Sequence, residues 1–168
     1  MAFKEIDIKN LSLNPFTKIG NEWALLSAGD QQASNTMTVS WGGVGVIWGK
    51  NAVTVYVRPQ RYTKEFIDSS DRFTLSFYDA TYKKALGVLG TKSGRDTNKV
   101  AEVGFTPYYV DGTVAYEQAN LVFVCRKLYA DDIKPERFID PSLDGANYPE
   151  HDYHTMYIAE IEKVLVQA

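Results

Sequence analysis

The sequence predicts a mainly β fold, in which antiparallel strands form a closed or partly closed barrel with a few short helices at its periphery. Short runs in which apolar and polar residues alternate recur along the chain, and turn-forming residues separate them. Helical periodicity is confined to two or three short segments. Because so many open strand edges would invite aggregation, a sheet that closes on itself is favoured over an open one.

Six segments are expected to form strands, because their residues either alternate with a period of two or form an apolar run. They are residues 22–28, 35–41, 52–58, 72–78, 116–129 and 154–166. Valine alternates with polar residues in the third segment, and phenylalanine and leucine do so in the fourth, which gives each strand one core face. Residues 121–128 are apolar on both faces, which predicts burial inside the fold or against a second subunit.

Three further segments have the pattern of short helices. Pro59 cannot donate to a strand ladder and ends the third strand, and residues 61–69 follow with a helical pattern. Residues 81–89 repeat apolar side chains at helical spacing and are expected to stop at Gly90. Residues 98–102 form the third helix. Residues 91–96 and 141–149 are rich in turn-forming residues and are predicted to be loops.

Length and composition predict one globular domain over residues 1–168. The hydrophobic fraction of 45% and the charged fraction of 23% are those of a folded protein with a substantial core. Cys125 is the only cysteine, which excludes an intramolecular disulfide and a cluster of several metal-binding cysteines. We expect it to be a small buried hydrophobe.

Charge and hydropathy exclude several classes of partner. The net charge is −3 and the charges are scattered, so the chain has neither a nucleic-acid footprint nor a polybasic membrane patch. No apolar run reaches transmembrane length, and residues 1–6 lack the apolar core of a signal peptide. The expectation is a cytoplasmic protein with a small-molecule or protein partner.

The familiar motifs of catalysis and metal binding are missing from the sequence. There is no Walker-type phosphate loop, no Gly-x-Ser-x-Gly elbow and no His-Glu-x-x-His helix. The two histidines, His151 and His154, are too few for a zinc site, so no metal is predicted. A βαβ nucleotide fold is disfavoured, since no Gly-x-Gly-x-x-Gly turn follows a strand.

The segment from residue 35 to residue 43 is the first candidate binding surface. Strand alternation places the hydroxyls of Thr36, Thr38 and Ser40 on one face and the apolar side chains between them on the other. Three short uncharged hydroxyls could hydrogen-bond a ligand at close range. The alternative is an ordinary solvent face, which is often rich in threonine and serine in antiparallel sheets.

A cluster of cations after the third strand is the second candidate. Arg58 closes that strand, and the residues that begin the next helix include Arg61, Tyr62, Thr63 and Lys64. Cations, a hydroxyl and a helix N-terminus together favour a phosphate, although solvated charges and a helix cap are an equal alternative. Ser93 and Gly94 belong to a further donor cluster, in a loop that could close over a ligand or form plain surface.

Four segments occur together in an order that is typical of one family. They are Asn35 to Gly43, Val57-Arg58-Pro59-Gln60-Arg61-Tyr62-Thr63 with Ile67, residues 90–96 with Lys99, and His154-Thr155-Met156-Tyr157-Ile158-Ala159-Glu160-Ile161. Through these segments the chain resembles the flavin reductase-like, FMN-binding split-barrel proteins, especially the flavoredoxin-like branch. The resemblance spans about residues 10–166 and implies an antiparallel Greek-key split β-barrel.

The resemblance also implies a homodimer with FMN in a groove at or near the subunit interface. The residues that would line the flavin ring and ribityl chain are Asn35, Thr36, Met37, Thr38 and Ser40. Those that would hold the phosphate or lie near it are Arg58, Arg61, Tyr62, Thr63, Lys64, Ser93 and Gly94. His154 would lie near the nicotinamide or substrate, as the candidate catalytic residue. Arg61 stands where many relatives have a histidine, which keeps a cation there.

An oxidoreductase is the leading functional expectation from this resemblance. NADH or NADPH would transfer a hydride to the flavin N5 of an NAD(P)H-dependent flavin reductase, which would serve a small-molecule substrate or a redox protein. That step needs no obligatory acid or base, which explains the lack of a catalytic motif. One alternative is a non-catalytic FMN-binding electron carrier between protein partners, and another is a dimeric interaction module without flavin.

Overall fold

The computed structural model describes residues 3–168, and within them it contains ten strands and five α-helices. The strands are β1 (Phe3–Ile6), β2 (Ala24–Gly29), β3 (Ser34–Val39), β4 (Gly42–Ile47), β5 (Lys50–Val57), β6 (Arg72–Phe77), β7 (Pro107–Val110), β8 (Thr113–Tyr116), β9 (Leu121–Asp132) and β10 (Thr155–Gln167). The helices are α1 (Pro15–Gly20), α2 (Thr63–Ser69), α3 (Lys83–Thr91), α4 (Lys99–Glu102) and α5 (Ser142–Asn147). The protein is therefore mainly β, as the sequence predicts.

Eight of the strands form one antiparallel sheet in the order β3-β2-β6-β9-β10-β5-β4, with β1 on β10 beyond the end of β5. The sheet curls around a single core, in which Met37 of β3, Val55 of β5 and Phe123 of β9 are buried together. Strands β3 and β4 stand at opposite ends of the order, so the barrel is split between them. This confirms the antiparallel Greek-key split barrel.

Strand β9 is covered on both faces by the chain itself. Phe123 and Cys125 pack into the barrel core, whereas Val122 and Val124 pack with Leu86 of α3 in a second apolar cluster. The predicted double burial is confirmed for residues 121–125, and the covering surface is the fold rather than a second subunit. Burial raises the pKa of the Cys125 thiol, which fits the expected small hydrophobe.

Two hairpins contain strands that alternation does not predict. Asp111 and Gly112 join β7 to β8, Trp48 and Gly49 join β4 to β5, and their φ angles of 47°, 74°, 53° and 68° are all positive. Pairs of residues with positive φ form the type I′ turns that match the twist of the strands. The Asp-Gly pair is a hairpin signal that the sequence analysis missed. Strand β4 was missed because its three glycines interrupt any alternation.

The predicted strand over residues 116–129 is wrong in one respect, since the structure divides it. Strand β8 ends at Tyr116, and the N–H of Ala119 then donates to the Tyr116 carbonyl at 3.0 Å in a turn. Strand β9 begins at Leu121 and continues to Asp132. Three polar residues, Glu117, Gln118 and Asn120, stand between the two strands, so the sequence contains a turn signal that the prediction overlooked.

The helices differ from prediction mainly at their ends. Helix α2 begins at Thr63 rather than at residue 61, and α3 continues to Thr91, so Gly90 does not end it. A Cβ added at Gly90 would lie 3.0 Å from the Cβ of Thr38, so this glycine lets α3 approach β3 closely. Residues 141–149, predicted as a loop, contain α5. Within residues 3–168, no helix is long and apolar enough to cross a membrane.

Candidate functional site

Two adjoining cavities lie beside the end of β3. The first, the aromatic cavity, has a volume of about 220 Å³ and is lined by residues 37–41 with Tyr56, Arg58, Arg61 and His154. The second, the cationic cavity, has a volume of about 190 Å³ and is lined by Asn35, residues 60–63, residues 91–94 and Lys99. Arg61 lines both, so the two cavities adjoin at its side chain, and together they are called the groove below.

Three aromatic side chains shape the aromatic cavity. Tyr56 lies near the end of β5, and His154 immediately precedes β10, which pairs with β5. The His154 ring centroid lies 5.4 Å from that of Trp41 and 6.4 Å from that of Tyr56. Trp41 is 49% exposed at the mouth. Flat aromatic walls that open to solvent suit a planar ligand.

His154 is held as a neutral side chain. It is 7% exposed, and its Nδ1 lies 2.7 Å from the Tyr148 hydroxyl. Burial, reinforced by the Arg58 cation, lowers the pKa of His154 to about 4. Burial also raises the pKa of Tyr148, which keeps the phenol protonated. Near neutral pH the imidazole therefore offers a hydrogen bond without a charge.

Arg58, which follows β5, binds the segment that precedes β10 and contains His154. Its guanidinium lies 2.8 Å from the Asp152 carboxylate and donates to the Asn147 carbonyl at 3.0 Å. It also stacks over the Tyr148 ring at 5.1 Å. Gln60 donates to the same Asp152 carboxylate at 2.8 Å. Arg58 is thus engaged beside the aromatic cavity and does not line the cationic one.

Two cations without acidic partners give the cationic cavity its charge. The Arg61 guanidinium donates to the Gly90 carbonyl at 3.0 Å, and the Lys99 ammonium donates to the carbonyls of Leu89 at 2.8 Å and Lys92 at 3.0 Å. Burial lowers the pKa of Arg61, and burial with the nearby Arg61 charge lowers the pKa of Lys99 to about 8. Neither forms an ion pair with a carboxylate in the described part of the chain. An anion in this cavity would compensate both charges.

The loop after α3 closes the cationic cavity against β3 and α2. Asn35 donates to the buried Thr63 hydroxyl at 2.9 Å, and a Cβ at Gly94 would lie only 2.2 Å from the Asn35 side-chain oxygen. Arg95 stacks over the Tyr62 ring at 4.5 Å. A side chain at position 94 would displace either the Asn35 side chain or the loop, so glycine permits the close approach.

The sequence model of the flavin reductase-like domain matches residues 16–168, which is most of the chain. The chain belongs to the flavin reductase-like family. No curated protein has a sequence that matches it.

Solved structures resemble this flavin reductase-like domain along most of its length. An FMN-binding domain of a flavin reductase-like enzyme from Shewanella baltica has a TM-score of 0.69 at 16% identity, over 98% of this chain and 77% of that one. Flavoredoxin from Desulfovibrio vulgaris has 0.67 at 21%, over 86% and 69%. The styrene monooxygenase flavin reductase from Pseudomonas putida has 0.61 at 18%, over 85% and 77%. These likenesses show a shared fold.

Most of the predicted site residues of this flavin reductase-like domain line the groove. Those at the aromatic cavity are Met37, Thr38, Ser40, Arg58, Arg61 and His154. Those at the cationic cavity are Asn35, Arg61, Tyr62, Thr63, Ser93 and Gly94. The cavities therefore bring together segments that are far apart in the sequence.

Thr36 and Lys64 lie outside both cavities. Thr36 is fully buried, and its hydroxyl lies 2.7 Å from that of Ser27, its pairing partner on β2. The predicted alternation holds, since Met37 and Val39 face the core, but the hydroxyls of Thr36 and Thr38 both have partners inside the protein, because Thr38 donates to the Leu86 carbonyl. Lys64 forms an ion pair with Asp68 at 2.7 Å.

Three further residues line the cavities although they were not among the predicted site residues: Trp41, Tyr56 and Lys99. Tyr56 shares the alternating face of Arg58, and Trp41 ends the polar strand segment, so both could have been found from spacing. Lys99 follows Asn98, whose side chain caps α4. Its burial in the cavity results from the packing of α4 on α3, which sequence pattern does not reveal.

Proposed function

We propose that this flavin reductase-like domain binds FMN across the two cavities and uses it as an NAD(P)H-dependent flavin oxidoreductase. The observation that carries the proposal is a pair of cations, the half-buried Arg61 and the buried Lys99, which have no acidic partner in the described residues and lie next to an aromatic cavity. FMN joins a planar ring to a phosphate through a flexible polyol. The aromatic cavity matches the ring, and the cationic cavity beside it matches the phosphate.

The dimensions and the donor set of the groove fit this ligand. Cavities of about 220 and 190 Å³ together fall within the range of ordinary small-molecule sites. Thr63 accepts a hydrogen bond from Asn35, which leaves its own hydroxyl proton available to a phosphate oxygen. Helix α2 has only seven residues, so we assign the phosphate to side-chain cations rather than to a helix dipole.

Of the two arginines predicted near the phosphate, Arg61 is proposed to bind it together with Lys99, whereas Arg58 is not. Arg58 is already paired with Asp152 and lines only the aromatic cavity. Its proposed role is to hold residues 147–154, and with them His154, against the ring. Arg61 lies at the junction, where the polyol would meet the phosphate.

When bound, FMN would supply the redox chemistry, by accepting a hydride at N5 from NADH or NADPH and passing the electrons on. The side chains would position the reactants and exclude water. Trp41, at the mouth, would cover one edge of the ring. His154 would contact the nicotinamide or the substrate as a neutral hydrogen-bonding group, with its ring held by Tyr148.

A homodimer is part of the proposal. Strand β4 is an edge strand of the sheet, and Val46 on it is 74% exposed. Trp48 in the following turn is 60% exposed and contacts Tyr129, which is 45% exposed. An apolar edge strand of this kind is a surface on which a second copy can pair and bury area.

The test is to titrate the purified protein with FMN and to follow quenching of flavin fluorescence. The FMN-loaded protein is then mixed anaerobically with NADH and with NADPH. Saturable quenching and bleaching of the yellow colour by one nucleotide are expected. A protein that never binds FMN would contradict the whole proposal. A yellow protein that neither nucleotide bleaches would keep FMN binding and make the protein an electron carrier.

A further inference from the structure

His154 has one ring nitrogen that is bonded within the protein and one that is open. Its Nδ1 lies 2.7 Å from the Tyr148 hydroxyl. Its Nε2 has no hydrogen-bonding partner among residues 3–168, and the ring lines the aromatic cavity. Nε2 is therefore the ring atom that remains to hydrogen-bond a ligand in this cavity.

The contact with Tyr148 decides which ring nitrogen carries the proton. A neutral imidazole has one N–H donor and one acceptor, whereas a phenol hydroxyl can donate or accept. Tyr148 is 5% exposed, and its hydroxyl has no other acceptor in the described part of the chain. If Nδ1 carried the proton, the phenol proton would be buried without an acceptor, which is unfavourable. If the phenol donates to Nδ1 instead, its proton is bonded and the imidazole proton lies on Nε2.

Arg58 favours the same arrangement. Its guanidinium lies over the Tyr148 ring, 5.1 Å from the centroid. A cation stabilises the partial negative charge on a phenol oxygen that donates its proton, so it strengthens the hydroxyl as a donor. Burial and the same cation oppose a second proton on His154, whose pKa falls to about 4. The surroundings thus keep the imidazole neutral, with Nδ1 as the acceptor.

We infer that Tyr148 is a positioning residue, which fixes His154 as a hydrogen-bond donor to a carbonyl oxygen of the reactant in the aromatic cavity. This inference rests on the proposed function, in which that reactant is NADH or NADPH and the oxygen belongs to its carboxamide. The nicotinamide ring becomes positively charged as its hydride leaves. A neutral donor holds the carboxamide without opposing that charge, whereas an imidazolium would repel it.

The tautomer is measured by NMR of the flavin-free protein labelled with ¹⁵N in histidine. His154 and His151 are the only histidines in the chain, so His151→Gln assigns their signals. We expect the proton of His154 on Nε2 in the wild type. Tyr148→Phe removes the hydroxyl, and a mixture of the two tautomers is expected. The matched control is Tyr153→Phe, which removes a nearby hydroxyl that donates to Asp144 at 2.7 Å and should leave the tautomer unchanged.

Kinetics of the FMN-loaded protein connect the tautomer with the reactant. Tyr148→Phe should lower kcat/KM for the reactive nucleotide on the order of tenfold and leave FMN affinity unchanged, and Tyr153→Phe should match the wild type. Two oxidised nucleotide analogues, used as inhibitors, identify the group that His154 contacts. The 3-acetylpyridine analogue keeps the carbonyl oxygen without the amide N–H, so it should bind within about threefold of the natural nucleotide. The thionicotinamide analogue has sulfur, a weaker acceptor, in place of that oxygen and should bind about tenfold more weakly.

The outcomes separate this inference from the proposed function. A proton on Nδ1 in the wild type, or an unchanged tautomer in Tyr148→Phe, would overturn the role of Tyr148. Weak binding of the 3-acetylpyridine analogue, with normal binding of the thionicotinamide analogue, would show that His154 accepts a bond from the amide and would overturn the assignment to the carbonyl oxygen. If neither nucleotide reduces the bound FMN, the proposed function fails instead, since the tautomer is measured without flavin or nucleotide.

Discussion

The hydroxyl of Tyr148 lies 2.7 Å from Nδ1 of His154, which lines the aromatic cavity. Tyr148 immediately follows α5, and His154 immediately precedes β10. The intervening residues are held by the ion pair between Arg58 and Asp152. The neighbours of the imidazole thus fix its position, and its burial makes it hard to protonate.

His154 should remain neutral down to a pH of about 4, because burial and the Arg58 cation lower its pKa. An unfolded chain would protonate this side chain near its ordinary pKa of about 6.5. Between these values the unfolded state binds more protons, so His154 makes stability fall as the pH is lowered through this window. The measurement is urea unfolding of the wild type and His154→Gln across the window. A constant difference between their unfolding free energies would contradict the assignment.

Arg61→Ala should weaken FMN binding by about tenfold or more, since a charge-assisted hydrogen bond to phosphate is lost. The matched control is Lys64→Ala, which also removes one positive charge but lies outside both cavities, paired with Asp68. Its FMN affinity should stay at the wild-type value. Fluorescence titration measures both constants, and circular dichroism checks that both variants fold. Equal losses would reduce the role of Arg61 to general electrostatic attraction.

FMN affinity should fall as the pH rises above about 8, because Lys99 loses its proton there in the flavin-free protein. A bound phosphate favours the charged ammonium, so binding is strongest where Lys99 is already protonated. Lys99→Met removes the charge and should bind FMN weakly, with this part of the pH dependence lost. The measurement is the FMN dissociation constant from about pH 7 to about pH 9.5, on either side of that pKa. The same decline in both proteins would exclude Lys99 as its source.

The local sequence pattern predicted the strands and turns whose signals lie within a few residues. It failed where segments distant in the sequence determine which residues contact each other. The alternation of Val53, Val55 and Val57 is local, and their burial in the core follows from it. Arg58 and Arg61 look equivalent in the sequence. The structure separates them, because the 147–154 segment supplies Asp152 to the first and the end of α3 supplies a carbonyl to the second.

The burial of Thr36 predicts a structural effect without a binding effect. Thr36→Val removes the bond to Ser27 inside the sheet and leaves that serine hydroxyl without its partner. A loss of about 1–3 kcal/mol in unfolding free energy is expected, with FMN affinity unchanged. The double variant Ser27→Ala with Thr36→Val should lose at least as much stability, because the buried Tyr116 hydroxyl, which bonds to both side chains, then loses both partners. Urea unfolding measures the stability of each variant. Weaker FMN binding by Thr36→Val would show that Thr36 does contribute to the binding site.

Gly94→Ala should open the cationic cavity. The added Cβ would lie 2.2 Å from the Asn35 oxygen and 3.2 Å from the Tyr62 ring, so either the Asn35 side chain has to leave its bond to Thr63 or the loop has to move away from β3 and α2. Since Thr63 and Ser93 line the same cavity, this displacement should weaken FMN binding about tenfold.

Gly87→Ala is the matched control, because Gly87 lies within α3 and its new Cβ would contact nothing within 4 Å. Alanine there should stabilise the helix by up to about 1 kcal/mol, since glycine has more backbone freedom to lose on folding. Thermal unfolding and FMN titration of both variants distinguish a local displacement of the loop from a general loss of stability. Wild-type FMN affinity in Gly94→Ala would show that binding of the phosphate does not depend on the closed position of the loop.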